Sequence, residues 1–243
     1  MNKQQWIDKC NHWKNKWPVM QPEYLDDSHG LNIYAVLEAI YQHSSDDAVI
    51  MCDAGSAYYM VPQAYKFKGT QRLVMSQSQG DMGWALPAAI GVAKAGAKNV
   101  IVVVGDGSFM SNIQELATIH EHNLPIKIII LNNRGYLSIK NTQSRFYGNV
   151  YGVDSETGVW FPDFLELADV FHINAVKVWG NAVMHKYMPQ VFETVSPYIM
   201  DVLCLQTQNI LPAQSFKDGK QAPLHDMMPF LSDEEMAAEM MQP

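Results

Sequence analysis

Apolar residues along this chain follow two patterns. Val100 to Val104 is an unbroken apolar run, and Ile126 to Leu131 is a second, interrupted only by Lys127. Runs of this kind read as strands buried on both faces of a parallel sheet. Between them, Ile113, Leu116, Ala117 and His120 share one helical face. Ser111 and Gln114 stand at capping-box spacing, which predicts a helix start, and Asn123-Leu124-Pro125 predicts its stop. Strand, helix, strand in that order is a right-handed βαβ unit with both strand ends on one edge of the sheet. Ligands of open α/β sheets bind at that edge.

The same reading extends outward. Ile33, Val36, Leu37, Ile40 and Tyr41 mark an amphipathic helix, and Ala48 to Cys52 a strand that runs into Asp53-Ala54-Gly55-Ser56, with a helix expected near Tyr58 and Ser56 as its cap. Arg72 to Ser76 is a further strand, followed by Gly80-Asp81-Met82-Gly83 and the helical stretch WALPAAIGVAKAGA. Residues 146–160 read as a loop. Pro162-Asp163 opens a helix with Phe164, Leu167, Ala168 and Phe171 on one face, and Ala175 to Val178 and Tyr198 to Leu205 supply the last strands around a helix from Val183 to Val195. These elements predict an α/β fold of three layers, a doubly wound, mostly parallel six-stranded sheet between helices.

The domain is expected over residues 31–205. Residues 1–30 read as a linker-like segment with Trp6, Cys10, Trp13 and Trp17 on one helical face, expected to pack on the chain's own domain, with docking to a partner subunit as the alternative. Residues 206–243 are polar, contain Pro212, Gly219, Pro223 and Pro229, and end in DEEMAAEMM. A tail wrapping the surface is expected, with a lid or partner-binding arm as the alternative.

Composition narrows the function. An apolar content of 48% is ample for a core, while a net charge of −8 without any basic run argues against nucleic-acid binding as the main task. Cys10, Cys52 and Cys204 have neither metal nor redox spacing, the expectation for free thiols in a reducing compartment. The amino terminus lacks a signal peptide's apolar stretch and no run reaches membrane-spanning length, so a cytoplasmic protein that does not enter membranes is expected.

Asp106 supplies a carboxylate and Asn133 a carboxamide oxygen, both at predicted strand ends, and Gly105, Gly107 and Gly135 are expected to let the backbone approach a ligand. These are magnesium-type donors. Mg²⁺ takes one or two carboxylates and completes its shell with waters and substrate phosphates. A diphosphate is the natural partner, met by Gly107, Ser108 and the amides opening the following helix. Singly, Asp-Gly is commonly a turn and Asn-Asn a loop. His120 and His122, two apart on different helix faces, do not form a metal pair.

Together, Gly105-Asp106-Gly107 and Asn132-Asn133 resemble the thiamine diphosphate signature, which opens with GDG and closes with NN. The resemblance covers about Asp46 to Leu205 and is to the carboxy-terminal, diphosphate-binding domain of acetolactate-synthase-like enzymes. It implies thiamine diphosphate and Mg²⁺ as cofactors and the thiamine diphosphate-binding fold. It also implies Asp106, Asn133 and the main-chain oxygen of Gly135 as metal ligands, with Gly107, Ser108 and Tyr136 beside them. By the same resemblance Ser56 meets the diphosphate, Met82 bends the cofactor's two rings together, and the carbonyl of Gly80 accepts a hydrogen bond from the pyrimidine amine. One departure is informative: decarboxylases that release acetaldehyde carry a glutamate at the position of Ile139.

The resemblance further implies that the activating glutamate lies on a separate pyrimidine-binding domain, and no segment here is similar to it. Glu115 stands at the diphosphate end. The chain is therefore expected to hold no catalytic residue of its own and to act with a pyrimidine-domain subunit, as a hetero-oligomer such as α2β2. The expected reaction is decarboxylation of pyruvate or another 2-oxo acid, with the two-carbon unit released or ligated. A sulfopyruvate- or phosphonopyruvate-type decarboxylase is the nearest alternative, and a non-catalytic structural or regulatory paralogue the alternative of another class. A nicotinamide-binding domain is disfavoured, because no G-x-G-x-x-G follows the first strand.

Overall fold

The computed structural model describes residues 2–240 and divides the chain into two units, Met1–Gln208 and Asn209–Pro243. In the first unit the strands are β1 (Val49–Cys52), β2 (Arg72–Met75), β3 (Val100–Gly105), β4 (Ile126–Asn132), β5 (Asn174–Val178) and β6 (Tyr198–Leu203). They form one sheet in the order β2-β1-β3-β4-β6-β5, with every pairing parallel. The six-stranded doubly wound sheet expected from the sequence is thus present, and it is parallel throughout.

Its helices are α1 (Lys3–Lys16), α2 (Ile33–His43), α3 (Ser56–Ala64), α4 (Ala85–Lys94), α5 (Asp106–Phe109), α6 (Glu115–Glu121), α7 (Leu137–Tyr147), α8 (Phe164–Val170) and α9 (Asn181–Glu193). Met51, Val102, Val104, Ile128 and Ile130 point to the face covered by α4, α6 and α8, where they meet Leu86, Leu116 and Phe164. The residues between them, Ile50, Val103 and Ile129, are equally buried on the other side. That side is covered by α2, α3 and α9. Burial on both faces is why the strands are apolar without alternation.

The strand order reverses between β1 and β3, since β2 lies on one side of β1 and everything later on the other. In open parallel sheets the crevice at such a reversal, at the carboxyl ends of the strands, is where ligands bind. The β3–β4 register pairs Val100 with Ile126 and Gly105 with Leu131, so Asp106 and Asn133 emerge at the same edge.

Local expectations are corrected in several places. Ser111 and Gln114 form no capping box: the chain turns helical directly after β3 at Asp106, continues as a 3-10 turn over Met110–Asn112, and Gln114 carries helical backbone angles without a side-chain cap. Ser56 is not a helix cap, because α3 begins at Ser56 itself after Gly55, whose φ of 68° suits glycine. The loop expected from residue 146 opens with the last turn of α7. No residue of α1 is buried, so the tryptophan stripe is not taken into the core; Trp6 and Trp13 stack edge to face at 5.9 Å instead. Cys52 and Cys204 are buried free thiols and Cys10 is partly exposed. Among the described residues no helix is long and apolar enough to cross a membrane.

The second unit holds a two-stranded antiparallel ribbon, β7 (Phe216–Lys217) and β8 (Lys220–Gln221), and a short helix, α10 (Asp233–Glu239). Lys217 ties it together, donating to Asp226 at 3.0 Å and reaching Asp233 at 3.6 Å.

Candidate active site

Three chain segments leave the sheet around the β1–β3 reversal and wall one cleft: Ala54–Ala57 after β1, Gly105–Ser108 after β3, and Asn133 with Gly135–Ile139 after β4. Asp106 is buried as the first residue of α5. Its Oδ1 accepts the N–H of Gly107 at 2.7 Å and its Oδ2 the N–H of Gly135 at 2.9 Å, so one carboxylate laces the β3 and β4 ends together. Burial pushes its carboxyl up to about 7, against the pull of the Gly107, Gly135 and Arg134 N–H groups. A cation in the cleft would relieve that penalty.

Asn133 is also buried, and its Oδ1 has no hydrogen-bond partner. An acceptor buried without a protein partner costs about 1–3 kcal/mol unless water or a ligand meets it, and this one stands in the cleft wall. The main-chain oxygen of Gly135 accepts from the N–H of Leu137 at 3.0 Å, which leaves it one lone pair. Asp106, Asn133 and Gly135 all line the cleft, an all-oxygen set of the kind Mg²⁺ takes.

The glycines act differently from the expectation. A Cβ on Gly107 would lie 2.2 Å from Cε1 of Tyr136, and one on Gly135 would lie 2.3 Å from the carbonyl oxygen of Val153. These two make room for protein atoms. Only Gly105 faces open space. Tyr136 is held over Gly107 by its N–H bond to the Val153 carbonyl at 2.8 Å and by edge-to-face contact with Phe161 at 5.6 Å.

Ser56, Met82 and Ser108 line the same cleft, so of the nine candidate residues only Gly80 stands outside its walls. Gly80 sits just upstream at φ 64°, and Met82 is 47% exposed at the open end. Sequence reasoning missed the residue that fixes this loop. Asp53, buried at the end of β1, accepts the N–H of Ala54 at 2.9 Å and that of Gly83 at 3.0 Å, so it holds the turn bearing Ser56 against the turn bearing Met82. Burial raises its carboxyl too, against those same N–H groups. The signal was an aspartate directly after a buried strand, the same arrangement as Asp106. Ser138 was missed as well. Its hydroxyl is buried without a partner in the cleft wall, and no motif marks it.

The cleft measures about 70 Å³. One water needs roughly 10–15 Å³ by this measure, so there is room for an ion and a small polyanion. Anything larger extends past Met82 and Ile139 at the open end.

The sequence profile described as thiamine pyrophosphate enzyme, C-terminal TPP binding domain, matches residues 53–202. The chain belongs to this family of thiamine pyrophosphate-dependent enzymes. It is 29% identical over 231 residues to acetolactate synthase 2, chloroplastic, of Zea mays, which covers 88% of this chain and 34% of that protein. It is 31% identical over 208 residues to the acetolactate synthase large subunit of Pyropia yezoensis, covering 85% of this chain and 34% of that one. The chain thus spans about a third of the length of the curated relatives it matches. Among solved structures, the thiamine diphosphate-dependent 4-hydroxybenzoylformate decarboxylase of Rhodococcus jostii RHA1 shares the fold, with a TM-score of 0.66 and 23% identity over 73% of this chain and 33% of that one.

Proposed function

We propose that this chain is the diphosphate- and magnesium-holding unit of a thiamine diphosphate-dependent enzyme acting on a 2-oxo acid, of the acetolactate-synthase kind, and that it works with a pyrimidine-binding domain on a separate subunit. The observation that carries the reading is the unpaired, buried Oδ1 of Asn133 in the same cleft as the buried carboxylate of Asp106. Those two atoms and the Gly135 carbonyl would hold the ion. The N–H of Gly107 is already given to Asp106, so the diphosphate falls to the hydroxyls of Ser56 and Ser108. When bound, thiamine diphosphate supplies a carbon nucleophile and an electron sink for decarboxylation.

The open end supports the need for a second body. Met82 and Ile139 present exposed apolar surface there, and among the described residues Asp106 is the only carboxylic acid lining the cleft. Asp106 is committed to Gly107 and Gly135, so the acid that protonates the pyrimidine comes from elsewhere. Apolar Ile139 also offers no proton donor to a decarboxylated product, which favours ligation to a second carbonyl compound over release.

Calorimetry with thiamine diphosphate, with and without Mg²⁺, tests the first part. Binding should require the ion and disappear in Asp106→Ala; metal-independent binding of equal strength in both proteins would refute the assignment. For the second part, the pure chain should leave pyruvate unconsumed until a pyrimidine-domain subunit is added. Turnover by the chain alone would refute the division of labour.

A further inference from the structure

The larger cleft in the first unit, about 430 Å³, is a different one. It opens where the ends of β4 and β6 meet β5 and the start of α8. Its size falls in the range of small-molecule sites, roughly 300–1,000 Å³. The strand order explains its position: after β4 the chain steps out to β5 and returns to insert β6, a second reversal at the ligand-binding edge of the sheet.

Its polar groups are nearly all committed to one another. Asp201, 1% exposed, accepts from Nδ2 of Asn132 at 2.8 Å and lies 3.8 Å from Lys177, whose ammonium is bonded to Asp163 at 2.5 Å. Arg134 differs in having no contact partner. It is an exposed cation in the cleft wall; its charge pulls the Asp201 carboxyl down from a distance, but among the described residues no carboxylate lies close enough to form an ion pair with it. Its position is set by a left-handed backbone, φ 60°, and by its N–H bond to Oδ1 of Asn132 at 3.2 Å. Trp160, 77% exposed, supplies a large apolar surface in the same wall.

We propose that this cleft binds a small organic monocarboxylate, its carboxylate paired with the Arg134 guanidinium and its apolar or aromatic body laid on Trp160. A planar guanidinium suits a carboxylate in two-pronged geometry. The single charge follows from the neighbours: one cation whose donors are unpaired stands in a wall with Asp163 and Asp201, which repel a second negative charge. The site is separate from the Asp106 cleft, although Asn132 and Arg134 of this one flank Asn133 of that one.

Benzoate is the probe, titrated into the full chain by calorimetry. Saturable binding is expected, with neutral benzamide weaker by roughly tenfold or more and benzylamine not binding. Arg134→Gln and Trp160→Ala, both exposed positions, should each weaken benzoate by a similar factor at unchanged melting temperature, while Ser56→Ala, in the wall of the other cleft, leaves it unaltered. No saturation by benzoate, equal binding of benzamide, or benzoate affinity unmoved by both the Arg134 and Trp160 variants would overturn the proposal. Binding weakened by Ser56→Ala but kept in Arg134→Gln would move the anion to the other cleft and overturn it equally. None of these outcomes depends on whether Asp106 and Asn133 hold magnesium.

Discussion

Oδ2 of Asp106 accepts the backbone N–H of Gly135 at 2.9 Å, joining the segment after β3 to the segment after β4. The two residues are far apart in sequence, yet this bond sets the spacing of the proposed metal ligands. Removing the carboxylate therefore acts on structure and on ion binding together. Asp106→Ala should lower the stability of the metal-free chain by about 1–3 kcal/mol, through the unpaired N–H groups of Gly107 and Gly135. Its melting temperature should not respond to Mg²⁺ with thiamine diphosphate, whereas that of the parent should rise.

Asn133 should behave in the opposite way. Its Oδ1 is already unpaired in the cleft wall, so truncating it removes a penalty as well as a ligand. Asn133→Ala should leave the metal-free melting temperature level or raised and still weaken Mg²⁺-dependent cofactor binding by roughly tenfold or more. A large loss of stability without any change in binding would contradict the role given to this side chain.

At Gly107 the expected effect is steric. A methyl group there overlaps the Tyr136 ring, 2.2 Å from Cε1, so Gly107→Ala should destabilise by about 1–3 kcal/mol, as overpacking does. Adding Tyr136→Ala should recover part of that loss. The double-mutant cycle measures the coupling, and additive effects would show that the clash is relieved elsewhere.

Asp53→Ala should release the turn bearing Met82 from the turn bearing Ser56. Two backbone N–H groups lose their acceptor. Stability should fall by about 1–3 kcal/mol, and hydrogen exchange at Ala54 and Gly83 should accelerate while β4 stays protected.

Lys127 gives a pH signature. It is buried within β4, donates to the carbonyl of Ser196, and burial pushes its ammonium down to about 8 from an ordinary value of 10.5. Between those values the unfolded chain binds the proton more tightly than the folded one, so this residue makes stability rise with pH across the window. Lys127→Met should flatten that rise in denaturant titrations between about pH 8 and 10.5, relative to the parent.

The apolar runs at Val100 and Ile126 could be read directly, because a strand covered on both faces is apolar at nearly every position, Lys127 being the one interruption. The GDG and NN motifs likewise lie at strand ends wherever the sheet forms. Helix starts were less legible. Ser111 and Gln114 satisfy a local pattern, but the backbone had already turned helical at Asp106, and the tertiary position of that residue overrode the propensity.

The order of residues along the chain was enough to determine the parallel α/β architecture and the placement of Asp106 and Asn133 at its edge, since burial periodicity and motif spacing are properties of the linear sequence. What Gly107 and Gly135 are for was decided only in three dimensions. Their missing Cβ atoms yield to Tyr136 and Val153, which the sheet brings against them. The tie from Asp53 to Gly83, the unpaired hydroxyl of Ser138 and the cleft between Arg134 and Trp160 arose in the same way. Each depends on which strand lies beside which, and that follows from packing across the whole sheet rather than from any local stretch of residues.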